Sequence, residues 1–226
     1  MSYFLSALAT EYILVIHRQS KAIVFVRTSP GIDIDLDLIE TLQKKLQFNE
    51  IELPEAENAI EQSSVEDRYV VLRGGQYTYQ VLVITSKPNR FTRETLHGFG
   101  IKLENRWAKE LKTLYTDLEG NTKVFLEKRS NRLNLPQIVD EVFRLDYTLP
   151  HKLGIPRSLK RQEKKVWSSI EELARGKGFL LLDEAIQHAT DSLGINVQTV
   201  SSIIAGFIGE NYIVPIPLDV FMEKYV

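Results

Sequence analysis

Residues 197–216 read "VQTVSSIIAGFIGENYIVPI". Apolar side chains at Val200, Ile203, Ile204, Phe207 and Ile208 repeat at the spacing that lines one face of an α-helix. Asn196 is placed to cap its start and Asn211 to end it, and "YIVPI" is β-rich. The other side of the helix is unusual. Ser201, Ala205 and Gly209 follow one another at four-residue spacing, with Ser202 and Gly206 running parallel. A stripe so nearly without side-chain bulk lets another helix or backbone approach closely. Its occupant is either the next helix of the same domain or a partner; on the second reading Gln198, Ser201, Ser202, Ala205, Gly206 and Gly209 are the partner-binding residues.

Two more helical stripes precede it. Asp183 to Ser192 turns Ala185, Ile186 and Ala189 inward, with Gly194 available to stop the helix, and Glu163 to Ala174 carries Val166, Trp167, Ile170 and Leu173. Three helices joined by short turns and followed by a β-rich run make a helix-turn-helix variant, and the order resembles a winged-helix domain over residues 163–226. In that reading, 197–209 is the helix that would enter a DNA groove. The charge argues against it: Gly178 to Glu223 has no Lys or Arg and six Asp/Glu, whereas Lys152 to Lys177 has eight Lys/Arg against Glu163, Glu171 and Glu172. Duplex binding rests on cations that neutralise phosphates, so no nucleic acid is expected at this helix. The basic "RSLKRQEKKVW" is either a solvated face or a surface that meets phosphate or an anionic membrane.

At 226 residues with 43% hydrophobic content, the chain is long enough for one large or two small cores. The absence of cysteine removes disulfides, thiol nucleophiles and thiolate zinc sites together. The apolar opening "MSYFLSALATEYILVIH" lacks a basic start and is interrupted by Glu11, so it does not read as a signal peptide. No run approaches the length of a spanning helix, and the expectation is a soluble, cytoplasmic protein without a transmembrane segment.

Upstream the period changes. "EYILVIHRQ" and "KAIVFVRTS" read as a hairpin, and Leu38, Ile39, Leu42 and Leu46 mark a helix with Asp33 or Asp35 at its start. The acidic stretch from Asn49 to Asp67 reads as irregular. "RYVVLRGGQYTYQVLVITS" reads as a second hairpin, in which Gly74-Gly75 would supply positive φ angles. Leu96, Phe99, Leu103, Trp107, Leu111 and Leu114 share one side of a long helix, and Ile138, Val139, Val142 and Phe143 mark another after Pro136. The expected order is β-β-α-β-β-α-α, an antiparallel sheet with helices packed on it. Asp33 to Asp67 holds eleven acids against two lysines, and Arg68 to Arg132 thirteen bases against six acids. On different faces these would make the domain a dipole; as neighbours they would neutralise each other.

This order, together with "GFGIKLENRWAKELKTLYTDLEGNTKVF", resembles the roadblock/longin superfamily, particularly its archaeal members, over Glu11 to Arg144. The resemblance implies dimerisation through sheet edges or helices and a role as a platform for small GTPases or for traffic and signalling complexes. Some assemblies of that kind supply an arginine finger, and Arg90 and Arg93 in "KPNRFTRE" are expected in the loop between the second hairpin and the long helix, where a protruding side chain could reach a partner's nucleotide.

The remaining motifs carry no chemistry. "DIDLD" has Leu38 where a calcium loop needs Gly and Lys44 where it needs Glu. The four histidines, 17, 97, 151 and 188, are isolated, so no metal site is expected. "RGG" and "RGKG" are not phosphate loops, and no serine elbow is present.

The sequence therefore predicts an α+β protein: a roadblock/longin-like domain over 1–150, a linker over 151–162 around Pro150, Gly154 and Pro156, and a winged-helix domain over 163–226. Its expected role is a noncatalytic scaffold or regulator, a homodimer or part of a hetero-complex, with no cofactor, no catalytic residue and a protein partner such as a small GTPase. Two other classes stand beside it: a transcription regulator that grips DNA, and a GTPase-activating protein acting through Arg90 or Arg93.

Overall fold

The computed structural model describes residues 3–127 and 133–225. Its contacts separate two units, one from Ala9 to Leu145, the other from the segment up to Leu8 and the chain from Asp146 onward.

The first unit is organised by a long apolar strand. β1 (Thr10–His17) pairs antiparallel with β2 (Ile23–Thr28) on one side and β5 (Thr78–Ile84) on the other. With β4 (Arg68–Gly74) and β3 (Ile60–Val65) they form a five-stranded antiparallel sheet in the order β2-β1-β5-β4-β3. Alternate side chains leave opposite faces of a strand. Ile13, Val15, Val71, Leu82 and Ile84 therefore enter one core, and Tyr12, Leu14, Ile16, Val70, Leu72, Val81 and Val83 another. The second face is covered by α2 (Leu36–Gln47), whose Leu38, Leu42 and Leu46 are buried. Asp35 caps α2 by accepting the Leu38 N–H at 3.0 Å. The first face is covered by α3 (Arg90–Lys112) through Leu96, Phe99, Leu103, Trp107 and Leu111, helped by α4 (Lys123–Leu126) and α5 (Leu135–Phe143). Aromatic edges lock these helices together: Trp107 meets Phe125 at 5.8 Å and Phe99 meets Phe143 at 5.3 Å.

Two expectations need correction. Part of the acidic stretch from Asn49 to Asp67 is regular: β3 occupies its end and pairs Ile60 to Arg73 and Val65 to Arg68. Glu66, at φ 56, makes the tight turn into β4 without the usual glycine. Gly74 and Gly75, in contrast, are not among the positive-φ residues. They are needed for close approach, because a Cβ would lie 2.6 Å from the Ala56 carbonyl oxygen at Gly74 and 2.2 Å from Glu104 Oε1 at Gly75.

In the second unit α6 (Arg161–Lys177), α7 (Leu182–Leu193) and α8 (Val197–Gly209) pack around Val166, Trp167, Ile170, Ala185, Ile186, Val200, Ile204 and Phe207. Trp167 meets Phe207 edge-on at 5.2 Å. Gly178 and Gly194, both left-handed, end α6 and α7. The strand after α8, β7 (Ile213–Pro215), pairs backwards with β6 (His151–Leu153), which precedes α6, and His151 also bridges to Leu180. No hairpin follows α8 among the described residues; α9 (Leu218–Tyr225) does, with Phe221 against Phe179 at 4.9 Å. α1 (Tyr3–Leu8) belongs to this unit, where it packs against α8 and adds Leu5 and Leu8 to the core. The fold as a whole is α+β.

Candidate functional site

The surface the sequence singles out is on α8. Asn196 starts the helix by accepting the Thr199 N–H at 2.8 Å, and that cap fixes which residues face out. Gln198, Ser202, Gly206 and Gly209 are exposed and Ala205 is half-buried. A Cβ added at Gly206 or Gly209 would meet nothing within 4 Å, so the space above both is open. Ser201 departs from the exposed stripe: it is fully buried, and its hydroxyl donates to the Val197 carbonyl at 2.6 Å. The exposed line thus runs 198-202-206-209, bare and without a cation.

Arg90 and Arg93 do not project from a loop. Asn89 caps α3 by accepting the N–H groups of Phe91 and Thr92, which places both arginines in its first turn. There the helix dipole disfavours cations, and each has a local partner. Arg90 Nε donates to Glu94 at 2.7 Å with its side chain 85% exposed, and Arg93 donates to Gln62 on β3 at 2.9 Å.

The most demanding electrostatics lie in the first unit. Arg73, on β4, is 1% exposed, with its guanidinium donating to Gln80 at 2.5 Å and to Asn58. Burial pushes it below the usual arginine range, opposed by the charges of Glu104 and Glu57. Gly100 on α3 makes the room, since a Cβ there would stand 2.1 Å from Nη1. One helical turn on, the Glu104 carboxylate accepts four bonds, from the N–H groups of Gln76, Tyr77 and Thr78 and from the Thr78 hydroxyl, at 2.9–3.1 Å. This network pins the β4–β5 turn to α3. It went unrecognised in the sequence, although an acid at 104 falls on the apolar stripe 96-99-103-107-111, and a charge on such a stripe is the signal of a buried partner.

His151 is the counterpart in the second unit. Its side chain is fully buried and neither ring nitrogen has a well-formed hydrogen bond. Burial pushes its pKa down to about 4; the nearby Leu149 carbonyl and Asp146 charge oppose that shift without reversing it.

Two hollows add recessed surface to these sites. One of about 720 Å³ brings Arg18 and Lys21 to the ring of Tyr79, at 5.3 and 4.5 Å, opposite Glu50, Glu52 and Glu55. The other, about 480 Å³, lies between α6 and the end of α7, lined by Lys164, Lys165, Ser168, Ser169, Glu172 and Ser192, with no residue of α8 in its wall. Among the described residues no group of His, Asp and Glu is placed to hold a metal ion, and no helix is long and apolar enough to cross a membrane. No protein-family model and no curated protein matches the chain.

Proposed function

We propose that the protein is a noncatalytic adaptor that recognises a protein partner through α8, with a roadblock/longin-like first unit and a winged-helix-like second one. The observation that carries this reading is the exposed line Gln198-Ser202-Gly206-Gly209, where open space over two glycines lets a partner's backbone approach and where no Lys or Arg could hold a phosphate. By resemblance, a small GTPase or a subunit of a traffic or signalling complex is the partner, and the protein works as a dimer or within a larger assembly.

The test is Gly206→Trp. The position is helical and unobstructed, so the variant should fold, while the ring fills the approach. The full chain is used as bait in native extract. Capture of a GTPase or complex subunit by the wild type, lost with Gly206→Trp, is the expected result. Salt-dependent binding of duplex DNA that Gly206→Trp abolishes would sink it in favour of a transcription regulator.

A further inference from the structure

We infer that residues 152–165 form a docking surface for an anionic lipid bilayer, independent of the partner surface on α8. Ile155 is 92% exposed, the most exposed large hydrophobic residue among those described. It sits between Gly154 and Pro156 in the connection from β6 to α6, a loop held in place where the Gly154 N–H donates to the Tyr212 carbonyl at 2.7 Å. An aliphatic side chain so presented has no packing role.

Around it the sequence places cations: Lys152 on β6, Arg157 and Lys160 in the loop, and Arg161, Lys164 and Lys165 on the first turns of α6, all exposed. Among the described residues, Lys152, Arg157, Arg161, Lys164 and Lys165 make no ion pair. Glu163 is the one acid between 151 and 165, and it is occupied in capping α6, accepting the Lys160 N–H at 2.7 Å with Lys160 Nζ 3.9 Å away.

The combination selects the occupant. Duplex DNA would use the cations but takes an isoleucine only as a wedge between unstacked base steps of the minor groove, a costly deformation, and a protein interface centres on a broader apolar patch than one residue. A bilayer uses both, taking the aliphatic tip into the headgroup boundary while basic side chains reach anionic headgroups. The net charge of −2 on the chain does not cancel this, because screening confines the attraction to within about 8 Å of the surface.

The full chain is to be sedimented with vesicles of phosphatidylcholine alone and of phosphatidylcholine mixed with phosphatidylserine. Retention by the mixed vesicles only, weakening with salt, is expected. Ile155→Asp should weaken it by about tenfold or more, and Arg157→Ala with Arg161→Ala by roughly twenty-five-fold, at about fivefold for each cation. Unchanged melting of the variants verifies that they fold. No retention by mixed vesicles, or retention indifferent to Ile155→Asp, overturns the inference. So does binding of a duplex oligonucleotide, without vesicle binding, that the paired arginine variant loses and Ile155→Asp keeps. Because Gly206→Trp leaves this surface intact, loss of the α8 partner and loss of vesicle binding are separate results.

Discussion

The most demanding buried side chains of the two units are treated in opposite ways. In the first, Arg73 and Glu104 are taken out of water between sheet and helix, and each is supplied with bonds: Gln80 and Asn58 accept from the arginine, and three N–H groups and a hydroxyl donate to the carboxylate. In the second, His151 sits buried at the meeting of β6, β7 and Leu180 with its ring unbonded. A satisfied buried charge fixes geometry, because removing either side strands the other. An unbonded imidazole fixes only a protonation state. The first unit should therefore be brittle to mutation and the second to acid.

The largest effect is expected at Glu104. Replacing it with alanine leaves the Gln76, Tyr77 and Thr78 N–H groups without their acceptor and removes one of the two charges, with Glu57, that oppose the desolvation of Arg73. Losing one side of a buried charged network costs about 3–5 kcal/mol. Denaturant unfolding of Glu104→Ala, with amide exchange at 76–78 as the local probe, measures it. A loss under about 1 kcal/mol, with those amides still protected, would show that the network is decoration.

His151 comes next and acts through pH. Its folded pKa, about 4, lies below the ordinary value of 6.5, so the fold binds the neutral ring and disfavours the proton. Above pH 6.5 the group is neutral in both states and costs nothing. As pH falls from 6.5 towards 4 the unfolded chain takes up a proton that the native unit refuses, and stability declines by up to about 1.4 kcal/mol per pH unit. Exchange of the β6 and β7 amides between pH 7 and 4 reads this directly. His151→Leu should flatten that dependence; an unchanged slope would assign the acid sensitivity to other groups.

This contrast also explains what the sequence could and could not convey. Periodicity located α2, α3, α5, α6, α7 and α8, because each buries a stripe that propensity and tertiary packing both favour. It missed β3, an edge strand of polar residues (IEQSSV) whose apolar content is confined to Ile60 and Val65 and whose turn lacks a glycine. It misassigned the role of Gly74 and Gly75, since a glycine required for close approach and one required for positive φ look alike in one dimension. On α8 the cap and much of the bare stripe were legible, whereas Ser201 is buried and Ala205 half-buried. The Arg73–Glu104 network was hidden because its members lie 31 residues apart and meet only through the register of β4 under α3.

The smallest effect on stability sharpens the comparison from the other end. Arg90 is the same residue type as Arg73 in the opposite environment: one is 85% exposed on its side chain and paired with its i+4 neighbour Glu94, the other 1% exposed and anchored across elements. A solvent-exposed pair of this kind, at a helix start where the dipole opposes a cation, contributes next to nothing to folding. Arg90→Ala should leave the melting temperature within measurement error. That neutrality makes it a clean probe of the arginine-finger alternative. If Arg90 stabilises phosphoryl transfer on a partner GTPase, Arg90→Ala lowers the accelerated hydrolysis by a factor on the order of 10³ while folding is untouched. For the adaptor proposed above, which has no such role for Arg90, hydrolysis by the captured partner is indifferent to the substitution.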